Sequence, residues 1–144
     1  MSIDLDVLIE MVAGSDWKQV RARHWEEARE AAATLIDHSF ESRYDLVALA
    51  GPFFNASERV HLLNCLSFPR NAFFVMLRAS LEETLRRTRL QPDRGLTSDA
   101  DFVTGIYEAI DWETVPPNDL EIDTDGRTIE EVVAAISEWL ADRR

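Results

Sequence analysis

Hydrophobic residues fall along the chain in short unbroken runs and in longer stretches spaced by three and four. The runs predict strands and the stretches predict helices. Ile3–Leu5 is a short apolar start, and Asp6 is placed to cap a helix carrying Val7, Leu8, Met11 and Val12, with Gly14 as its stop. A long helical pattern runs from about Asp16 to Ser42, with Ala28, Ala31, Ala32, Leu35 and Ile36 on one side and no Pro or Gly inside it. Asp45–Gly51 (DLVALAG) and Ala72–Leu77 (AFFVML) read as buried strands, and Leu120–Asp123 (LEID) as another. Asn55 with Glu58, Ser80 with Glu83, Ser98 with Asp101 and Thr128 with Glu131 stand three apart, as at helix N-termini. The helix after Asn55 carries Val60, Leu62, Leu63 and Leu66 and ends at Pro69. The arginine-rich helix after Ser80 runs to about Leu90, and the one after Ser98 to about Trp112. The last helix carries Ile129, Val132, Val133, Ile136 and Leu140 as an apolar stripe. Apolar strands separated by helices predict an α/β fold in three layers, its parallel strands buried on both faces. The stretch 91–98 (QPDRGLTS) is the expected mobile loop.

The length, 144 residues, fits one domain, and 46% hydrophobic positions exclude a disordered chain. The longest apolar run falls far short of the ~20 residues of a spanning helix. The N-terminus lacks a basic region ahead of its apolar stretch, so it does not read as a secretory signal. A single cysteine, Cys65, excludes an internal disulfide and a Cys-based zinc cage, and a cytoplasmic setting is expected. The net charge of −12 argues against nucleic acid or anionic membrane as partner. That charge is uneven. Residues 1–67 carry 6 basic and 11 acidic side chains, residues 68–98 carry 6 and 3, and residues 99–144 carry 3 and 13. The middle is a basic island made only of arginine.

Ligands of an open parallel sheet bind beyond the carboxyl ends of its strands. Those ends are expected at Asp4–Asp6, Gly51–Asn55 and Asp123–Thr128. Asp6 is the candidate general base for a substrate hydroxyl, and equally a plain helix N-cap. Arg86, Arg87, Arg89 and Arg94 form the core of the basic island. Their forked guanidiniums suit phosphate oxygens, and pairing with Glu82 and Glu83 on a solvated face is the other reading. His24, His38 and His61 show no ligand pattern, and Cys65 reads as a small core residue. Metal ligation by side chains alone is not expected. The hydrolase elbow, H-E-x-x-H and C-x-x-C are all absent.

The order of these features, with Phe74–Arg89 (FVMLRASLEETLRRTR) and Ile122–Ile136 (IDTDGRTIEEVVAAI), resembles the P-loop small-molecule kinases. Among them are the chloramphenicol phosphotransferase-like, gluconate kinase-like and adenylylsulfate kinase-like proteins. The resemblance spans Ile3 to Leu140. It implies ATP and Mg2+ as cofactors and a small-molecule hydroxyl as phosphoryl acceptor. It implies that Arg86, Arg89 and Arg94, in a lid-like segment about 84–98, embrace the ATP phosphates. It places Asp123, Thr124 and Gly126 along the nucleotide base, and Asp6 on the acceptor hydroxyl. That family opens with a strand and a G-x-x-x-x-G-K-[ST] loop, which hold the β- and γ-phosphates. Here the five glycines (14, 51, 95, 105 and 126) and the single lysine, Lys18, do not make that motif. Ala50-Gly51-Pro52 stands where the family carries an acidic residue.

The expectation is therefore a single P-loop NTPase-like domain over 1–144, its central first strand missing. One reading makes it an N-terminally incomplete kinase, inactive as an isolated chain. Another makes it a non-catalytic binding or regulatory α/β domain that has lost phosphate binding. A third makes it an unrelated α/β domain. Loss of the central strand would leave two half-sheets with unpaired edges: either the strand before Gly51 pairs with the strand before Arg78, or another chain, a missing N-terminal segment or a symmetry mate fills the slot. Open edges favour a homo-oligomer.

Overall fold

The structure, a computed structural model, describes residues 1–14, 16–90 and 95–143. Among them are four short strands and six α-helices. β1 (Ser2–Asp4) runs parallel to β2 (Ala48–Ala50), with Ser2 opposite Ala48 and Asp4 opposite Ala50. β3 (Val75–Arg78) runs parallel to β4 (Leu120–Asp123), with Val75 opposite Leu120 and Arg78 opposite Asp123. The helices are α1 (Leu5–Ala13), α2 (Ala22–Glu41), α3 (Ala56–Cys65), α4 (Leu81–Leu90), α5 (Ala100–Ala109) and α6 (Ile129–Ala141). The mixed α/β class with parallel strands is as expected. In place of one three-layer sheet stand two separate two-stranded sheets, because β2 and β3 do not pair. The chain divides into two compact units, Met1–Asn71 with Trp112–Pro116, and Ala72–Asp111 with Pro117–Arg144.

The first unit is built on α1, α2 and α3. Leu5 and Ile9 are fully enclosed, with Ile3 and Leu8 beside them. They meet Ala28, Ala32, Ala33 and Ile36 from α2 and Leu62 from α3. The alanines recur about every fourth residue, so one smooth helix face lies against the core. Gly51 ends β2 where only glycine fits: a Cβ there would lie 2.5 Å from Leu5 Cδ1 and 2.8 Å from Leu5 Cβ.

Two boundaries in this unit differ from expectation. Asp4, not Asp6, caps α1, its carboxylate accepting from the Asp6 backbone N–H at 2.9 Å. The long helical pattern breaks before Ala22. Asp16 caps a 3-10 turn at Trp17–Gln19, and Val20 is extended. Arg21 then donates to the Lys18 and Val20 carbonyls at 2.9 Å each. Those carbonyls are satisfied by a side chain, so the helix need not continue through them.

In the second unit β3 and β4 are extended at one end by Asp119. Its carboxylate accepts from Phe74 N–H at 2.7 Å, and its own N–H donates to the Phe74 carbonyl at 2.9 Å. Ile122 and Val103 are buried. Asp99, rather than Ser98, caps α5, accepting from the N–H groups of Asp101 and Phe102. That helix ends at Ala109, short of Trp112. The box of Thr128 and Glu131 opens α6 as read from the sequence. Trp139 of α6 meets Phe73 edge-on at 5.3 Å, while Ile129 and Val133 of the apolar stripe stay exposed.

Candidate functional site

The second unit gathers most of the predicted site residues. Asp123 ends β4, and its carboxylate accepts from the Asp125 N–H at 2.9 Å, folding a tight turn. Gly126 completes that turn at φ 68°, a conformation that glycine adopts without strain. Thr124 is buried. Its N–H and its hydroxyl both donate to the Arg78 carbonyl, at 2.7 and 2.9 Å. Asp125 accepts from the Ser80 N–H at 2.9 Å, so the turn is fastened to the start of α4. Arg87 fastens it again: its guanidinium donates to the Thr124 hydroxyl at 3.1 Å and to the Thr124 carbonyl at 2.5 Å. Of the three residues expected along a nucleotide base, Thr124 is thus occupied within the fold. Asp123 and Gly126 are exposed.

The arginines of α4 do not share one role. Glu83 accepts from Arg86 Nε at 2.6 Å and from its Nη2 at 2.8 Å, and from Arg87 Nε at 2.7 Å. The hydrogen bond from Arg86 pulls the Glu83 pKa down to about 2, against the opposing effect of partial burial, with Arg87 adding to the pull. The same pair raises Arg86 above its ordinary value. Arg86 is therefore paired on the solvated face, and Arg87, absent from the predicted site, holds the loop. Arg89 is exposed and has no ion-pair or hydrogen-bond partner among the described residues. Arg94 lies outside the described residues.

In the first unit Asp6 sits exposed in the first turn of α1, directly after β1. After β2, Asn55 and Glu58 form the capping box of α3, with Glu58 N–H on Asn55 at 2.9 Å and Asn55 N–H on Glu58 at 3.2 Å. Glu58 also accepts from the buried Arg29 of α2 at 2.8 Å. Arg29 lies 5.7 Å from the Phe53 ring centroid, and its Nε has no partner among the described residues. Arg59, also buried, donates to the Phe53 carbonyl at 3.2 Å. Both cations escaped sequence reasoning. The available signal was that Arg29 stands among Ala28, Ala31, Ala32 and Ala33 on the apolar side of its helix.

Of the three histidines, His61 lies beside Glu30 and Cys65. His61 Nε2 lies 3.7 Å from Glu30 Oε1 and 3.9 Å from Cys65 Sγ. His24 and His38 stand apart from this cluster. Burial, and then the charge of Glu30, push the Cys65 thiol up.

A model of the shikimate kinase family matches residues 1–141. The chain belongs to the shikimate kinase family. Searches of curated proteins and of solved structures return no match. The shikimate kinase family is a family of P-loop small-molecule kinases, which typically use ATP and Mg2+. The resemblance read from Phe74–Arg89 and Ile122–Ile136 thus holds at the level of small-molecule kinases, while the subfamilies named for it are not the one that matches. No described helix is long and apolar enough to cross a membrane.

Proposed function

We propose that this chain supplies the acceptor-side carboxylate and the nucleotide-side arm of an ATP-dependent phosphotransferase acting on a small-molecule hydroxyl. The observation that carries the reading is the family match over residues 1–141. In this reading Asp6 holds the acceptor hydroxyl and takes its proton. Arg89, the arginine of α4 with no partner among the described residues, meets the phosphates, joined by Arg94. Arg86 adds positive charge once Glu83 releases it. The turn of Asp123, Thr124 and Gly126 borders the nucleotide base. The family's name makes shikimate, a small polyhydroxylated carboxylic acid, the first acceptor to test. The buried Arg29 Nε, a donor without a partner among the described residues, suits an anionic group on that acceptor.

The residues fit ATP in part. A turn and a cationic arm are present, while the 144 residues hold no G-x-x-x-x-G-K-[ST] segment to cradle the β- and γ-phosphates. ATP with Mg2+ supplies the transferable phosphoryl group. The chain's own contribution is orientation, a proton acceptor and positive charge. As an isolated chain it is proposed to bind nucleotide weakly and to lack transfer activity. The second reading, a binding or regulatory domain that no longer takes nucleotide, is favoured by the absent motif.

Phosphotransfer is to be measured after joining a strand–phosphate-loop–helix segment ahead of residue 1, with shikimate and other small hydroxyl compounds as acceptors. Asp6→Asn and Arg89→Ala should each cut transfer by at least ~10²-fold while leaving folding intact. Unchanged transfer in both removes these assignments.

A further inference from the structure

We propose that Glu30, His61 and Cys65 form a binding site for one zinc-class divalent cation, held between α2 and α3. His61 and Cys65 stand four residues apart on α3, one helical turn, and so share a face. Glu30 reaches them from α2. The three donor atoms all lie within 4.8 Å of one another. The 3.7 Å between His61 Nε2 and Glu30 Oε1 is too long for a hydrogen bond. With the 3.9 Å to Cys65 Sγ, it is close to the ~3.4–3.6 Å that separates neighbouring donors around a tetrahedral zinc ion. One imidazole nitrogen thus faces a sulfur, in a long hydrogen bond, and a carboxylate oxygen beyond hydrogen-bond reach, and a metal ion would take the place of both contacts.

The donor set selects the ion. Sulfur, imidazole and one carboxylate suit zinc and cobalt, whereas magnesium and calcium take oxygen shells. A thiolate and a carboxylate together balance a dication. The cation takes the place of the thiol proton, which burial and Glu30 otherwise retain on Cys65. Glu30 is exposed, and His61 and Cys65 are half-buried, so an ion enters from solvent. Three protein ligands leave a fourth tetrahedral position for water. Bound metal clips α2 to α3, the same two helices joined by Arg29 and Glu58. The site uses no residue assigned to phosphotransfer.

The test is a Co2+ titration of the full, metal-free, reduced chain, followed by absorption. One equivalent should bind with a thiolate-to-cobalt charge-transfer band and the visible bands of tetrahedral cobalt, and Zn2+ should displace it. Glu30→Gln and His61→Ala should each weaken binding at least ~10-fold, the lower bound set by losing even an outer partner of a metal ligand. His38→Ala, on α2 but outside the cluster, should bind as the parent does. Circular dichroism checks that each variant is folded, and exposed Glu30 is the substitution least able to disturb packing. Absence of the charge-transfer band overturns the proposal. So does cobalt affinity unchanged by both Glu30→Gln and His61→Ala, which would mark a lone reactive thiol.

Discussion

Glu83 sets the electrostatics of α4. Two guanidiniums converge on one carboxylate whose side chain is 12% exposed, and the pKa falls from 4.5 to about 2. The sign of the consequence follows from linkage. A carboxyl depressed in the folded state adds stability that is fully present above its unfolded pKa and is lost as pH falls toward the folded value. Glu83 therefore contributes fully above pH 4.5 and loses its contribution between about 4.5 and about 2. Denaturant midpoints across that window should fall more steeply for the parent chain than for Glu83→Gln, and parallel curves contradict the pairing. The sequence spacing of Ser80 and Glu83 revealed half of this residue's role. Ser80 Oγ does accept from the Glu83 N–H, at 3.1 Å. The carboxylate, however, turns to the arginines, and the Ser80 N–H finds Asp125, 45 residues away. A spacing rule reports local bonds and is silent on a partner brought in by strand pairing.

At the scale of elements, Arg87 is the tie between α4 and the β4–α6 turn. Arg87→Ala removes a charged donor from the Thr124 carbonyl and hydroxyl, and should cost about 1–2 kcal/mol in denaturant unfolding. Arg86→Ala, which removes the solvent-facing partner of Glu83 and leaves Arg87 on that carboxylate, should cost less. Equal losses would remove the distinction. Helices were legible where their caps were local, as at Asn55–Glu58 and Thr128–Glu131. They were misplaced where a neighbour with the same chemistry took the cap, as Asp4 did from Asp6 and Asp99 from Ser98. The strands were legible as apolar runs: β4 keeps the expected bounds, while β2 and β3 are shorter than their runs, since each has one pairing partner to define its length. Arg29 carried no reading from the sequence, and His61 and Cys65 were read only within their own helix. What they do depends on α2 and α3 lying side by side, which periodicity alone does not encode.

For the whole molecule, the order of strands, helices and caps from Ile3 to Leu140 carried the kinase resemblance, and the family model covers nearly the same span, 1–141. Among the described residues the sheets are the pairs β1–β2 and β3–β4. The acceptor lay beyond sequence reasoning, since pocket-lining helices vary without changing the fold. The central claim is that these 144 residues still carry a nucleotide-facing arm. Its most direct test is thermal unfolding of the chain, read by tryptophan fluorescence, in rising MgATP. Millimolar MgATP should raise the midpoint by on the order of a few degrees, because a ligand that binds only the native state stabilises it, and Arg89→Ala should diminish the rise. A cooperative transition whose midpoint ignores millimolar MgATP contradicts the claim and leaves a binding or regulatory domain.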